Sequence, residues 1–152
     1  MSVPDGYAAH FRRSPVTDPW EPLYSKRVGG AVVLAIRVRE PHCNARGFLH
    51  GGVISALADN AMGLSVLETL KAEGADHGRH ASTVSLALDF LATAHLDQWL
   101  EIVPRVLKVG GSLAFADCVV LADGQRIARG NATFCLYQAP TAGQGGKSDS
   151  SH

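Results

Sequence analysis

The longest apolar stretch of the chain runs from Val53 to Leu67 and contains a single charged side chain, Asp59. A stretch that is apolar on nearly every side predicts a helix buried in the protein interior. Glycines stand at both of its limits, Gly51 before it and Gly74 after it, and glycine is the residue that most often follows the end of a helix. The pattern therefore predicts one long helix from Gly51 to about Ala72.

Elsewhere apolar and polar residues alternate, as they do in half-buried strands. The segments predicted as strands are Tyr24 to Arg27, Ala31 to Val38, Ser82 to Ala92, Leu100 to Val109, Ser112 to Leu121 and Arg126 to Tyr137. Hairpin turns are predicted at Gly29-Gly30, Gly110-Gly111 and Asp123-Gly124. In the third segment the residues placed on one face are Val84, Leu86, Leu88 and Phe90. One long helix in a mainly antiparallel sheet of about six strands is an α+β arrangement.

Composition narrows the class of protein further. The chain has 152 residues and a formal net charge of zero, so no basic surface for nucleic acid is indicated. No apolar run is as long as a membrane span, and the first residues lack the layout of a signal peptide. Cys43, Cys118 and Cys135 are odd in number and irregularly spaced, which argues against a disulfide framework and predicts a reduced, cytoplasmic protein.

The domain limits follow from the same reading. Residues 1–138 are expected to form a single domain, in which residues 1–19 are a loose N-terminal arm or short helix. Residues 139–152 are rich in Gly, Ser, Gln and Lys, a composition that predicts a disordered tail.

Asp59 is the first candidate for a chemical role, because an ionised carboxylate is costly to bury without a partner. Gly51 and Gly52 stand where the helix should begin. The first N–H groups of a helix have no partner within it, and glycine lets a ligand approach them closely. Such donors suit an oxygen that gains negative charge during acyl transfer. Because Gly51 and Asp59 are too far apart on one helix to hold one carbonyl, the spacing suggests a site shared by two copies of the chain.

These residues together form a recognisable motif, consisting of Asn44, Gly47, His50-Gly51-Gly52 and Asp59. The motif resembles that of hotdog-fold thioesterases, close to the phenylacetate-degradation and small acyl-CoA thioesterase branch. The resemblance covers roughly residues 20–138. It implies a hotdog fold, in which the sheet wraps a long central helix, and an enzyme that hydrolyses acyl-CoA to a free acid and coenzyme A. It also implies a homodimer with shared active sites, and a homotetramer built from two such dimers.

The resemblance assigns a role to each residue of the motif. The Gly51 N–H would polarise the thioester carbonyl, and Asp59 would act as a general base on water or as a nucleophile. Asn44 and His50 would orient the carbonyl and water, and Thr83 would steady the water or the carboxylate. Residues expected to contact substrate are Leu49, Gly52 and Asn60.

Each of these residues also has a simpler structural interpretation. His50 could only cap the helix, Asn44 could only shape a turn, and Thr83 could be an ordinary strand residue. Two other functions remain open on the same fold: a non-catalytic acyl-CoA binding protein and an acyl-CoA hydratase.

No cofactor or metal is predicted. The chain has no nucleophile elbow, phosphate-binding loop or dinucleotide fingerprint. His77 and His80 lie close together, but a polar loop explains them more simply than a metal site does. Coenzyme A phosphates would then be held by basic side chains, and the candidates are Arg46, Arg79, Arg105, Lys108 and Arg126.

Overall fold

The computed structural model describes residues 1–138, and the predicted tail lies outside them. Their single α-helix, α1, is Gly51–Ala72, and two 3-10 helices of three residues each cover Asp18–Trp20 and Glu40–His42. The strands in chain order are β1 (Ala8–Ala9), β2 (Tyr24–Val28), β3 (Ala31–Arg37), β4 (Arg79–Phe90), β5 (Trp99–Val109), β6 (Leu113–Ala122) and β7 (Gln125–Gln138). They form one antiparallel sheet in the order β1-β2-β3-β5-β6-β7-β4. The α+β prediction is confirmed, with seven strands rather than about six.

Helix α1 lies in the hollow of the sheet and contacts β3, β4, β5, β6 and β7. Its inner face is fully buried, with Leu57, Ala58, Ala61 and Met62 at most 1% exposed. With 22 residues, α1 is long and apolar enough to cross a membrane by length and composition alone. The prediction that no apolar run is as long as a membrane span is therefore wrong. The sheet covers the inner face of α1 instead, which makes α1 the core helix of the domain.

The ends of α1 follow from residues visible in the sequence. The side chain of His50 accepts a hydrogen bond from the Gly52 N–H and caps the first turn. At the other end, the Gly74 N–H donates to the Lys71 carbonyl and the Ala75 N–H to the Leu70 carbonyl. Gly74 has a φ of +67°, so this is the left-handed glycine termination expected from the sequence.

Two predicted hairpins are confirmed by their backbone angles. Gly29 and Gly30 have φ values of +55° and +84°, and Asp123 and Gly124 have values of +46° and +81°. Positive φ at both central residues is the mark of the two-residue turn whose twist matches that of the flanking strands. These turns join β2 to β3 and β6 to β7.

Strand β4 is an edge of the sheet, hydrogen-bonded among the described residues to β7 alone. The predicted alternation holds for Leu86 and Leu88, which are half-buried. A bulge interrupts the pairing between Thr83 and Ser85, and Val84 in that bulge is 62% exposed. An edge strand of twelve residues with exposed apolar side chains is a surface that proteins normally cover.

The N-terminal segment, predicted to be a loose arm, is packed against the domain. Strand β1 pairs with β2, and a short 3-10 turn covers Asp18–Trp20. His10 and Thr17 are only 6% and 2% exposed. These buried residues are polar and follow no helical or strand period, so the hydrophobic pattern gives no sign of their packing.

Two histidines, His10 and His42, are buried in the domain. His10 has both ring nitrogens buried without a hydrogen-bond partner among residues 1–138. Burial lowers the pKa of His10; Glu21 opposes this, and the charge of Arg12 adds to it. Burial also lowers the pKa of His42. Its Nδ1 accepts a hydrogen bond from the Arg39 N–H, which requires that this nitrogen be unprotonated.

We expect the free energy of unfolding to decrease as the pH falls through about 6.5, the usual pKa of histidine. Below that value the unfolded chain takes up protons that the folded chain resists, so the folded state loses stability. Chemical denaturation between pH 7.5 and pH 5 measures the effect. His10→Phe should reduce the loss, whereas His77→Asn, in an exposed loop, should not alter it. Equal pH dependence in wild type and His10→Phe would contradict this assignment.

Candidate active site

One side of α1 is not covered by the sheet and forms the floor of a cleft of about 490 Å³. The helix contributes Asp59, Asn60, Gly63 and Leu67, β4 contributes His80 and Thr83, and β7 contributes Phe134 and Tyr137. The opposite wall consists of Arg12, Ser14, Val16 and Thr17 from the N-terminal arm. Two larger clefts, of about 630 and 610 Å³, lie elsewhere and contain none of the motif residues. The chemistry of the motif therefore points to the smaller cleft.

The carboxylate of Asp59 faces this cleft and is held by Thr83. The Thr83 hydroxyl donates a hydrogen bond of 2.6 Å to Asp59 Oδ1. No lysine, arginine or histidine among the described residues forms an ion pair with Asp59. Asp59 is half-buried, so the expectation of a fully buried carboxylate is wrong for a single chain: this face of α1 opens to the cleft. The arrangement leaves Oδ2 free for another partner.

The start of α1 presents one free donor. The Gly52 N–H is taken by His50 Nδ1 at 2.8 Å, and the Val53 and Ile54 N–H groups donate to the His50 carbonyl at 3.0 and 3.3 Å. Of the first four N–H groups, this leaves Gly51 without an acceptor in residues 1–138. The positive end of a helix dipole adds to the pull of such a group on an anionic oxygen. Gly51 thus presents a free N–H donor at the helix start, and its role toward a carbonyl stays a prediction.

The two glycines are constrained by different neighbours. A Cβ on Gly52 would lie 2.9 Å from His50 Nδ1, so the histidine cap requires glycine there. A Cβ on Gly51 would lie 3.2 Å from the ring of Phe90 on β4. Phe90 thus stands beside the helix start, and the sequence analysis did not assign it to the site. The alternating pattern of β4 places Phe90 at the end of a strand, but it does not indicate which other element the ring contacts.

Asn44 and His50 adopt in this chain the simpler roles considered above. Asn44 Oδ1 accepts hydrogen bonds from the N–H groups of Arg46 at 3.0 Å and Phe48 at 3.2 Å. This is the side-chain pattern that stabilises a tight turn. His50 caps α1. Both residues fix the loop that leads into Gly51, and their roles toward a substrate stay predictions.

The remaining predicted contact residues are separated by the fold. Asn60 lies beside Asp59 in the cleft, and the exposed Gly52 lies at the helix start. The side chain of Leu49 is 6% exposed and belongs to the hydrophobic core, so within one chain it does not line the cleft. No group of three or more His, Cys, Asp or Glu side chains in residues 1–138 could hold a metal ion.

The two halves of the motif do not meet within one chain. Asp59 lies eight positions after Gly51, which is about 12 Å along a helix axis. A thioester carbonyl bound at one of them is therefore out of reach of the other. The single chain contains a carboxylate site and a separate donor site.

The comparison with known proteins decides the family. A family model described as the thioesterase superfamily matches residues 46–128, the segment that holds Gly51, Asp59 and Thr83. The chain belongs to the thioesterase superfamily. It is 34% identical over 90% of its length to a Pseudomonas aeruginosa protein described provisionally as an esterase, of which it covers 98%. It is also 34% identical to human acyl-coenzyme A thioesterase 13, over 68% of this chain and 71% of that protein.

Solved structures agree with this membership. The zebrafish thioesterase superfamily member 2 superposes with a TM-score of 0.67 at 26% identity, covering 76% of this chain and 81% of that one. A Streptococcus mutans protein bound to acetyl CoA superposes with a TM-score of 0.63 at 26% identity, over 72% and 82% of the two chains. The hotdog resemblance of the sequence is thereby confirmed, and the chain is an enzyme of the thioesterase class.

Proposed function

We propose that this thioesterase hydrolyses an acyl-CoA thioester to a free acid and coenzyme A. The observation that carries the proposal is the Asp59 carboxylate, oriented by Thr83 in an open cleft and without a countercharge among the described residues. The human relative is named as an acyl-coenzyme A thioesterase, and the Streptococcus mutans structure contains acetyl CoA. Both names support coenzyme A as the carrier of the acyl group.

The free edge of β4 provides the way to bring Asp59 and Gly51 together. Along this strand, Thr83 contacts Asp59, and Phe90 stands beside Gly51. Two copies of β4 paired antiparallel about a two-fold axis place each residue opposite a partner residue from the other end of the strand. With Thr83 opposite the partner's Phe90, Asp59 would approach the partner's Gly51. The proposed unit is a homodimer with two shared sites, and a homotetramer and a cytoplasmic location stay predictions.

Within this dimer each group has a distinct task. The partner's Gly51 N–H would donate to the thioester oxygen and stabilise its negative charge as the carbonyl is attacked. Asp59 Oδ2 would take a proton from the attacking water, because Oδ1 is occupied by Thr83. The C–S bond then breaks, and the proton passes to the departing thiolate of coenzyme A. Direct attack by Asp59, giving an anhydride that water hydrolyses, uses the same arrangement.

Thioester turnover and thioester affinity, measured on one purified sample, test this function. We expect release of free thiol from a panel of acyl-CoAs, detected with a thiol reagent. A non-catalytic binding protein would bind the same thioesters without releasing thiol. A hydratase would consume an unsaturated acyl-CoA with the thioester intact. Either of the last two results would overturn the proposal.

A further inference from the structure

The N-terminal arm crosses the open side of the domain. Strand β1 is attached at one edge of the sheet, and β4 forms the opposite edge. Residues 12–17, which follow β1, nevertheless line the same cleft as His80 and Thr83 of β4. The arm therefore passes over α1 from one sheet edge toward the other. It forms a wall of the cleft that no strand of the sheet provides.

This wall is held in place by its own contacts. The N–H groups of Thr17 and Asp18 donate to the Ser14 carbonyl at 3.1 and 2.9 Å, and the hydroxyls of Ser14 and Thr17 are 3.0 Å apart. Thr17 is 2% exposed. Arg13 pairs with Asp18 at 3.2 Å. A segment with this many local bonds can position a side chain toward a ligand.

Arg12 differs from the other arginines near this wall. Arg13 pairs with Asp18 and Glu21, and Arg27 pairs with Glu68 at 3.4 Å. Arg12 lines the cleft and makes no hydrogen bond or ion pair within the part of the chain that the structure describes. No other lysine or arginine lines the cleft. Arg12 is exposed at the cleft. An exposed guanidinium without a protein acceptor is available to one carboxylate, which it binds through two parallel hydrogen bonds.

The part of the cleft that lies beyond Asp59 along α1 suits an apolar chain. Beyond Asp59 its floor continues along α1 over Gly63 to Leu67, about 12 Å further along the helix. A Cβ on Gly63 would lie 3.3 Å from the ring of Phe134, so this ring packs closely against the helix at the glycine. Leu64 and Tyr137 add further carbon surface. An acyl chain whose carbonyl lies at Asp59 would follow this apolar floor beneath the arm.

We propose that residues 12–17 form the outer wall of the acyl pocket and that Arg12 binds a terminal carboxylate on the acyl group. The preferred substrates are then CoA thioesters of dicarboxylic acids. This inference rests on the proposed function. The phosphates of coenzyme A are the other anions that Arg12 could meet. They carry several charges, whereas the cleft offers a single arginine and no lysine.

Matched substrate pairs test the proposal. Each pair has the same chain length and differs only in the terminal carboxylate: hexanoyl-CoA with adipoyl-CoA, and octanoyl-CoA with suberoyl-CoA. We expect Arg12→Gln to lower kcat/KM about tenfold or more for the carboxylate-terminated member and less than about twofold for the other, because a charge-assisted bond is lost only with the former. Arg13→Gln, a neighbouring arginine paired with Asp18 and Glu21, should leave the ratio within each pair unchanged.

The possible results separate the two proposals. Equal losses on both members of a pair would show that Arg12 serves coenzyme A or the arm and would overturn the inference. No loss on either member would overturn it too. Wild-type hydrolysis of other acyl-CoAs but of none of these four would overturn the inference alone. No thiol release from any acyl-CoA of the wider panel means that the proposed function fails. Dissociation constants for the corresponding non-hydrolysable thioethers then decide the role of Arg12: selective weakening of the carboxylate-terminated analogue by Arg12→Gln supports it, and equal affinity overturns it.

Discussion

Asp59→Asn should lower kcat for acyl-CoA hydrolysis by about 100-fold or more. Loss of a general base or a carboxylate nucleophile has effects of this size. The amide keeps the size of the side chain, and its oxygen can still accept the hydrogen bond from Thr83 that the carboxylate receives at 2.6 Å. Substrate binding should therefore change far less than turnover. Thiol release under saturating acyl-CoA measures kcat, and binding of a non-hydrolysable thioether measures affinity.

A second carboxylate provides the control for this experiment. Asp117 on β6 pairs with Arg105 at 2.6 Å and lies outside the Asp59 cleft. Asp117→Asn removes the same charge from the chain, and we expect activity close to that of the wild type. The thermal unfolding midpoint of Asp59→Asn should match the wild-type value, because no buried ion pair is broken. Wild-type turnover by Asp59→Asn would show that the carboxylate is not part of the chemistry.

Local sequence signals were sufficient to predict most of the architecture. The limits of α1 agree with the prediction because a capping residue and a terminating glycine determine them locally. The hairpins agree because Gly29-Gly30 and Asp123-Gly124 adopt the positive φ values that few other residue pairs tolerate. These features depend on neighbouring residues in the chain, which a pattern can report.

Features that depend on distant partners were not visible in the pattern. The bulge at Val84 and the exposure of β4 follow from its place at the sheet edge. The packing of His10 and Thr17 depends on where the arm crosses the domain. Exposure of Asp59 arises because the sheet leaves one side of α1 uncovered, which no helical period specifies.

The candidate site was predicted in part. The contact between Thr83 and Asp59 joins residues 24 positions apart, and only the family resemblance suggested it. Residue chemistry alone allowed a capping role for His50 and a turn role for Asn44, but it did not decide between these roles and contact with a substrate. Phe90 and Arg12 were not predicted as site residues, because only the tertiary fold brings them to the site. Phe90 lies beside Gly51, which belongs to another element. Arg12 lies in a segment whose apolar residues follow no helical or strand period.

The shared-site arrangement predicts that two inactive variants restore activity to each other. Gly51→Val places carbon against the ring of Phe90, where a Cβ would already lie 3.2 Å away, and obstructs the approach of a carbonyl to the Gly51 N–H. Gly51 is a helical residue without a positive φ, so valine suits its backbone. Each variant alone should be inactive. After subunit exchange, a hybrid of Asp59→Asn and Gly51→Val contains one site with an intact carboxylate and an intact donor.

Random exchange of equal amounts should make about a quarter of all sites active, since half of the dimers are hybrids with one intact site each. A chain carrying both substitutions is the matched control. Mixed with wild type, it should reduce activity to about a quarter if sites are shared, but only to about a half if each chain holds its own site. Native mass spectrometry verifies the exchange, and circular dichroism verifies folding of Gly51→Val. If verified hybrids of the two single variants stay inactive, Asp59 and Gly51 do not form one site across a dimer.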